Sequence, residues 1–330
     1  MNVFERVIER AKTDPSRIAF PEATEEKMLQ AIRQATDSGV CIPVLVGHED
    51  EIRAAAQEAG IDISDMEIFD TLDEEKLGDV IDRYVQTNEF LSVKTMKRKS
   101  GKDPMYAALM TTALGDTDAT FAGLSHSTGD VILGAQTVIG MAEGVESVSG
   151  MGIWELTEDI VEGGVLGHAD AAVNPDPTAE QLADTAICAA DAMQALLGVE
   201  PRVAMLSFST TGSTEHPLAD KVIRAVAIAN ERRPDLKIDG EFQFDSAINP
   251  AVAAKKVKRE SEVAGHANFV LFPDLNAGNI GVKLVQQIAH VNAPGPFLLG
   301  FKKVVGDCSR GAPIAELVGN IAACSVRAKF

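Results

Sequence analysis

Short apolar runs alternate with stretches of helical period almost from one end of this chain to the other, and that alternation restricts the fold more than any single residue does. Arg17 to Phe20 and Pro43 to Val46 read as strands; between them Met28, Leu29, Ala31, Ile32 and Ala35 form a helical stripe, with Gly39 where that helix would stop. Strand, helix and strand in that order make a βαβ unit, whose two strands lie parallel. Further strands are expected at Ala119 to Ala122, Val145 to Val148, Val203 to Phe208, Phe269 to Phe272, Phe297 to Leu299 and Lys303 to Val305. Helices fit at Val131 to Met141, Thr178 to Leu197, Pro217 to Arg232, Asn279 to Ala289 and Pro313 to Val326. The pattern predicts an α/β protein with mostly parallel sheets and flanking helices.

At 330 residues the chain exceeds the size at which one hydrophobic core stops growing, so two lobes with a cleft between them are expected. The excess of 49 Asp and Glu over 30 Lys and Arg gives a net charge of −19, which repels nucleic acid and anionic membranes at long range. A small phosphorylated ligand is still admissible, because Lys302, Lys303 and Arg310 can dominate locally within a Debye length of about 8 Å. The amphipathic N-terminus lacks the long apolar core of a signal peptide, and no window supplies a membrane helix. Cys41, Cys188, Cys308 and Cys324 are scattered, with neither disulfide nor zinc spacing, so no metal is expected and the cytoplasm is the expected compartment.

The polar turns that follow strands carry the chemistry. Asp307-Cys308-Ser309-Arg310-Gly311 puts a hydroxyl and a guanidinium at a helix start, where a phosphate or developing oxyanion is stabilised. Phe272 to Ile280 (FPDLNAGNI) and His126-Ser127-Thr128-Gly129-Asp130 likewise leave strands for helices. In open α/β sheets ligands bind at that carboxyl edge, so three such turns point to one active cleft. Ser207 to Ser213 can cap the next helix or donate hydroxyls, and Thr178 with Gln181 has capping-box spacing. Gly150-Met151-Gly152 is not a dinucleotide fingerprint, since Glu155 stands where the third glycine belongs, and no GxxxxGK[ST] exists. A triad of Ser309, His126 and Asp130 lacks the GxSxG elbow. The basic runs Lys94 to Asp103 and Lys255 to Arg259 read as solvated loops, each alternatively as a mobile loop closing over an anionic substrate.

The segments RIAFPEATEEKML, SHSTGD, NPDPTAEQLADTAI, RVAMLSFSTTGS, IDGEFQFDSAI, ANFVLFPDLNAGNI and DCSRG stand in the same order as in the phosphate acetyltransferase (phosphotransacetylase) family, which the chain resembles from Arg17 to its C-terminus. The resemblance implies an isocitrate/isopropylmalate dehydrogenase-like fold of two α/β domains. The first would be residues 1–143 completed by 301–330 and the second 144–300, with the active site in the interdomain cleft and a homodimer formed through the second domain. It implies reversible acetyl transfer between acetyl phosphate and coenzyme A, a substrate here, with no tightly bound cofactor and with inorganic phosphate as the other small partner.

Carried over residue by residue, Arg310 would bind the phosphoryl group and Ser309 the thiol or the tetrahedral oxyanion, while Glu316 stands at the position of the family's aspartate base. Ser127, Thr128, Asn276, Gly278, Asn279, Lys283 and Gly311 would contact substrate. Two family arginines have no counterpart: Leu133 occupies one position, and Lys97-Arg98-Lys99 is offset from the other. A shifted acyl preference, toward propionyl or butyryl phosphate, or a weakly catalytic coenzyme A sensor are therefore alternatives. A base of pKa about 4.3 facing a thiol of about 8.5 leaves proton transfer uphill by about 6 kcal/mol unless Glu316 is desolvated or transfer is concerted with attack. Cys308 beside Arg310 could instead form an acyl-enzyme, or be a buried structural thiol.

Overall fold

The computed structural model describes residues 1–330 apart from Glu89 and resolves into two compact units, one built from Val3–Ala142 with Phe301–Phe330 and the other from Glu143–Gly300. The first unit runs α1 (Val3–Ala11), β1 (Ser16–Phe20), α2 (Glu26–Asp37), β2 (Cys41–Gly47), α3 (Glu49–Ala59), β3 (Glu67–Asp70), α4 (Glu74–Thr87), α5 (Val93–Ser100), α6 (Pro104–Leu114), β4 (Ala119–Phe121) and α7 (Thr128–Val138). The second runs β5 (Ser149–Glu155), β6 (Val165–Ala169), α8 (Ala179–Leu197), β7 (Arg202–Leu206), α9 (Pro217–Arg232), β8 (Lys237–Phe242), α10 (Phe244–Ile248), α11 (Pro250–Lys256), β9 (Phe269–Leu271), α12 (Leu275–Ala289) and β10 (Phe297–Leu299). The chain then returns to the first unit as β11 (Val304–Gly306) and α13 (Ile314–Arg327).

In the first unit five parallel strands lie in the order β11-β4-β1-β2-β3. The chain moves from β1 to β2 on one side, while β4 and β11 add on the other, so the topology switches at β1. Strand β1 is buried at Ile18, Ala19 and Phe20, as a central parallel strand covered on both faces requires. The second unit has the order β10-β5-β6-β9-β7-β8, parallel from β6 through β8, with β5 antiparallel to both neighbours. The α/β class with mostly parallel sheets is as expected. Among the described residues no helix is long and apolar enough to cross a membrane.

Several local expectations differ. Val145 to Val148 is not a strand; the strand starts at Ser149 and contains Gly150 and Gly152, whose poor strand propensity hid it. Those glycines serve packing, since a Cβ on Gly152 would come within 2.6 Å of the His168 ring on β6. The run from Lys94 is not a loop up to Ser100 but helix α5, started by the Ser92 hydroxyl accepting from the Thr95 amide and anchored by buried Met96. One buried apolar side chain in two turns is too sparse a stripe to show through four basic residues. Helix α12 begins at Leu275, capped by Asp274, so Asn276 to Asn279 form its first turn rather than the turn before it. Pro313 is the residue before α13, not its first helical position.

Helix α1 closes on α13 through Phe4, whose ring occupies the space a Cβ on Gly319 would need. A Gly319→Ala variant is expected to lose about 1–3 kcal/mol of stability by overpacking. Urea unfolding should show that loss, and Phe4→Leu should recover part of it.

Candidate active site

Three loops leave the carboxyl ends of the adjacent parallel strands β1, β4 and β11, at the topological switch where open α/β sheets bind ligands. Their geometry is set by two carboxylates. Past β1, buried Glu22 accepts the backbone N–H groups of Gly123 (3.1 Å), Leu124 (2.8 Å), Ser125 (3.0 Å) and His126 (3.0 Å) from the loop after β4. Its Oε1 also meets His126 Nδ1 at 2.8 Å, and His126 Nε2 lies 3.1 Å from Asp103 Oδ2. Past β11, Asp307 Oδ2 accepts the Thr128 hydroxyl at 2.6 Å.

The electrostatics follow from these contacts. Burial alone would raise the Glu22 carboxyl, but the bonds from His126 and from the loop amides hold it below the usual range. Asp103 first and Glu22 second push the His126 pKa up to about 10, so both of its ring nitrogens donate. A histidine committed to two carboxylates cannot serve as a base for Ser309, and the triad of Ser309, His126 and Asp130 is not formed. Burial raises Asp307 to about 6 and pushes the Cys308 thiol far up, which makes Cys308 a protonated, poorly nucleophilic group. Burial also raises Glu316, partly offset by Lys27.

Ser309, Arg310 and Gly311 are exposed in the loop before α13, where the Gly311 amide donates to Ser309 Oγ at 3.3 Å. Half-buried Glu316 follows in the first turn of α13. Across from them, the hydroxyl of Ser127 caps α7 in a reciprocal box with Asp130. The Asp130 carboxyl is held low mainly by Ser127, with His126 and Arg310 adding to the effect. The hydroxyls of Ser127 and Thr128 are thus both engaged by the protein's own carboxylates, and what this segment offers a ligand is the helix N-terminus itself.

Two residues here were overlooked in the sequence although both lie in RIAFPEATEEKML: Glu22, and Lys27, whose Nζ reaches the Arg310 carbonyl at 3.4 Å. Leu133 is 61% exposed on α7 and brings no charge. A cavity of about 470 Å³ adjoins this edge, lined by Glu22, Gly47, His48, Lys102, Asp103 and His126 among others. A larger one, about 660 Å³, lies by the starts of β1 and β3, where Arg17 pairs with Glu67 and Arg83 with Asp116.

In the second unit Asn276, Gly278, Asn279 and Lys283 share the first turns of α12. Gly278 is required by close approach, since a Cβ there would collide with the Asp170 carbonyl. Asn279 donates to the Ala171 carbonyl at 3.1 Å. Asn279 and Lys283 line a cavity of about 150 Å³ with His168, whose pKa burial depresses to about 3. Asp170 repeats the Glu22 device on a smaller scale, accepting the amides of Ala172, Val173 and Asn174.

Residues 2–325 match the family model described as phosphate acetyl/butaryl transferase. The chain is 41% identical, over all of both chains, to a phosphate acetyltransferase of Thermoanaerobacterium thermosaccharolyticum. It superposes with a TM-score of 0.90 and 30% identity on the EutD phosphotransacetylase from Staphylococcus aureus, covering 99% of this chain and 98% of that one. A 4-hydroxythreonine-4-phosphate dehydrogenase from Burkholderia phymatum shares the fold alone, at 14% identity and a TM-score of 0.56 over 94% of this chain and 99% of that one.

His126 supplies a test of the loop's electrostatics. Its folded pKa, about 10, exceeds its free value of 6.5, so its contribution to stability is complete below 6.5 and is lost as pH rises through 10. Replacing it by Gln should cost about 2 kcal/mol at the acid end of that window and progressively less toward the alkaline end. Urea unfolding across the window measures this, and a deficit independent of pH would contradict the charged state.

Proposed function

The chain belongs to the phosphate acetyl/butaryl transferase family, and from that premise we propose that it transfers acetyl reversibly between acetyl phosphate and coenzyme A by direct attack of the thiol. The observation that carries this reading is the exposed Ser309–Arg310 pair on the loop that leaves β11, followed in the first turn of α13 by a half-buried carboxyl, Glu316. The reaction belongs to acetate metabolism.

In the forward step the coenzyme A sulfur attacks the carbonyl carbon of acetyl phosphate and its proton passes to Glu316. The tetrahedral oxyanion then collapses, the bond from carbon to the phosphate oxygen breaks, and phosphate departs against the Arg310 guanidinium. Burial of Glu316 raises its affinity for the proton, which narrows the unfavourable gap to the thiol. The hydroxyl of Ser309 donates to the thiolate or oxyanion, and Gly311 leaves the loop open above it. Arg310 matches a planar phosphoryl oxygen pair in a way lysine would not. Lys27, beside Arg310, adds positive charge where Leu133 supplies none. Asn276, Gly278, Asn279 and Lys283 are assigned to substrate, Lys283 as the cation toward a phosphate and the others as the polar start of α12. The acyl-enzyme route through Cys308 is disfavoured by that thiol's burial and raised pKa.

Thioester formation from acetyl phosphate and coenzyme A, followed by ultraviolet absorbance, tests this directly. Wild-type protein is expected to turn over, and Arg310→Ala to lose about 100- to 1,000-fold in kcat. Binding of coenzyme A without turnover on acetyl, propionyl or butyryl phosphate would overturn the enzyme reading in favour of a sensor.

We also assign a homodimer through the second unit. Ile280, Leu284 and Ile288 form an i, i+4, i+8 stripe on α12 that is 58%, 53% and 75% exposed, an apolar strip that a second copy would remove from water. Sedimentation should give twice the 35.0 kDa chain mass, falling to one chain in Leu284→Glu/Ile288→Glu. A wild-type monomer would refute the dimer, and a dimeric double variant would refute this surface.

A further inference from the structure

The strand ladder of β11 ends at Gly306, which pairs with Phe121 of β4. Asp307 is therefore the first residue beyond the sheet, and the next two positions after Cys308 are Ser309 and Arg310. Within the loop the bonds are local, from the Ala312 amide to the Ser309 carbonyl (2.9 Å) and from the Gly311 amide to Ser309 Oγ (3.3 Å). Its long-range ties are the 3.4 Å contact from Lys27 to the Arg310 carbonyl and the far shorter 2.6 Å bond from Thr128 to Asp307. The latter joins residues 179 positions apart in sequence.

The partners are placed to transmit position. Thr128 is the first residue of α7, directly after the segment whose amides Glu22 grips, so its own location is fixed from the β1 side. On the other face of the Asp307 carboxyl lies Gly123, where a Cβ would come within 2.5 Å of Oδ1. Gly123 has φ +122°, a conformation that glycine alone adopts easily, and this lets the carboxyl lie flat against the β4 loop. The carboxyl is 94% buried by residue exposure, since Asp307 keeps 6% of its surface, and burial raises its pKa to about 6. A side chain serving only to fill that space would not have to bear the cost of an ionisable group.

We propose that Asp307, acting through the Thr128 hydroxyl, is a positioning residue that fixes the Ser309–Arg310 pair against the start of α7. The inference rests on the acyl-transfer reading for what the loop does, but not for whether the bond holds it. Without the bond, the loop keeps its residues and its charge but samples orientations in which the hydroxyl and guanidinium no longer converge on the reacting carbon and phosphate. The loss then falls on turnover more than on binding.

Amide hydrogen exchange and steady-state kinetics on the full chain test it together. Thr128→Val and Asp307→Ala each remove the bond and should speed exchange across Cys308 to Ala312, whereas Thr128→Ser and Asp307→Asn retain a hydroxyl donor and an oxygen acceptor and should keep most of the protection. In the kinetic arm Thr128→Val and Asp307→Ala should each lower kcat by about 10- to 100-fold, with KM for coenzyme A changing by less than about threefold. The double variant should be no worse than the poorer single one, because both remove the same bond. Unchanged exchange in Thr128→Val, additive losses in the double variant, or a rise in KM at constant kcat would each overturn the proposal. If wild-type protein forms no acetyl-CoA, the acyl-transfer reading fails while the exchange arm still decides the clamp.

Discussion

The Glu22 carboxylate bonded to four successive loop amides is the interaction on which the first unit's functional edge depends. A buried carboxylate is costly unless its lone pairs are filled, and unpaired backbone amides at the end of a strand are costly too. Placing one against the other removes both costs and locks the loop after β4 to the loop after β1. His126 completes the arrangement by carrying a positive charge between Glu22 and Asp103, which leaves neither ring nitrogen available as a base.

Gripping the loop in this way has a chemical consequence. The amides of Gly123 to His126 form an anion nest already filled by the protein's own carboxylate, so an incoming phosphate has to be met elsewhere. On the proposed reading, Arg310 and Lys27 are the groups that meet it. The middle loop is held from both neighbouring strands, by Glu22 on the β1 side and Asp307 on the β11 side. Ser309 and Arg310, to which the chemistry is assigned by proposal, stand exposed on the outer loop of the three. Rigidity is concentrated in the buried carboxylates and exposure in the residues assigned to chemistry, which is the arrangement that preorganised sites require.

Much of the fold was legible because its signals are local. The helix at Pro217–Arg232 and the Thr178–Gln181 capping box follow from proline position and side-chain spacing alone. The errors share a cause. Strands β5 and β6 carry glycines at Gly152 and Gly167, where the His168 and Phe269 rings need the room, and no local propensity reports the demands of a neighbouring strand. Helix α5 was hidden by its charges, because its one buried apolar side chain, Met96, is held by tertiary packing.

The sequence by itself determined the α/β class, the loop carrying Ser309–Arg310, and the placement of Glu316 in the first turn of a helix, since each depends on residues near one another along the chain. Only the tertiary structure decided what those residues face. It showed that Thr128 spends its hydroxyl on Asp307, that His126 is held by Glu22 and Asp103, and that Lys27 stands beside Arg310. Those partners are 23 to 283 residues apart. A pairing across such separations is fixed by which strands become neighbours in the sheet, a property of the whole fold that no local pattern encodes.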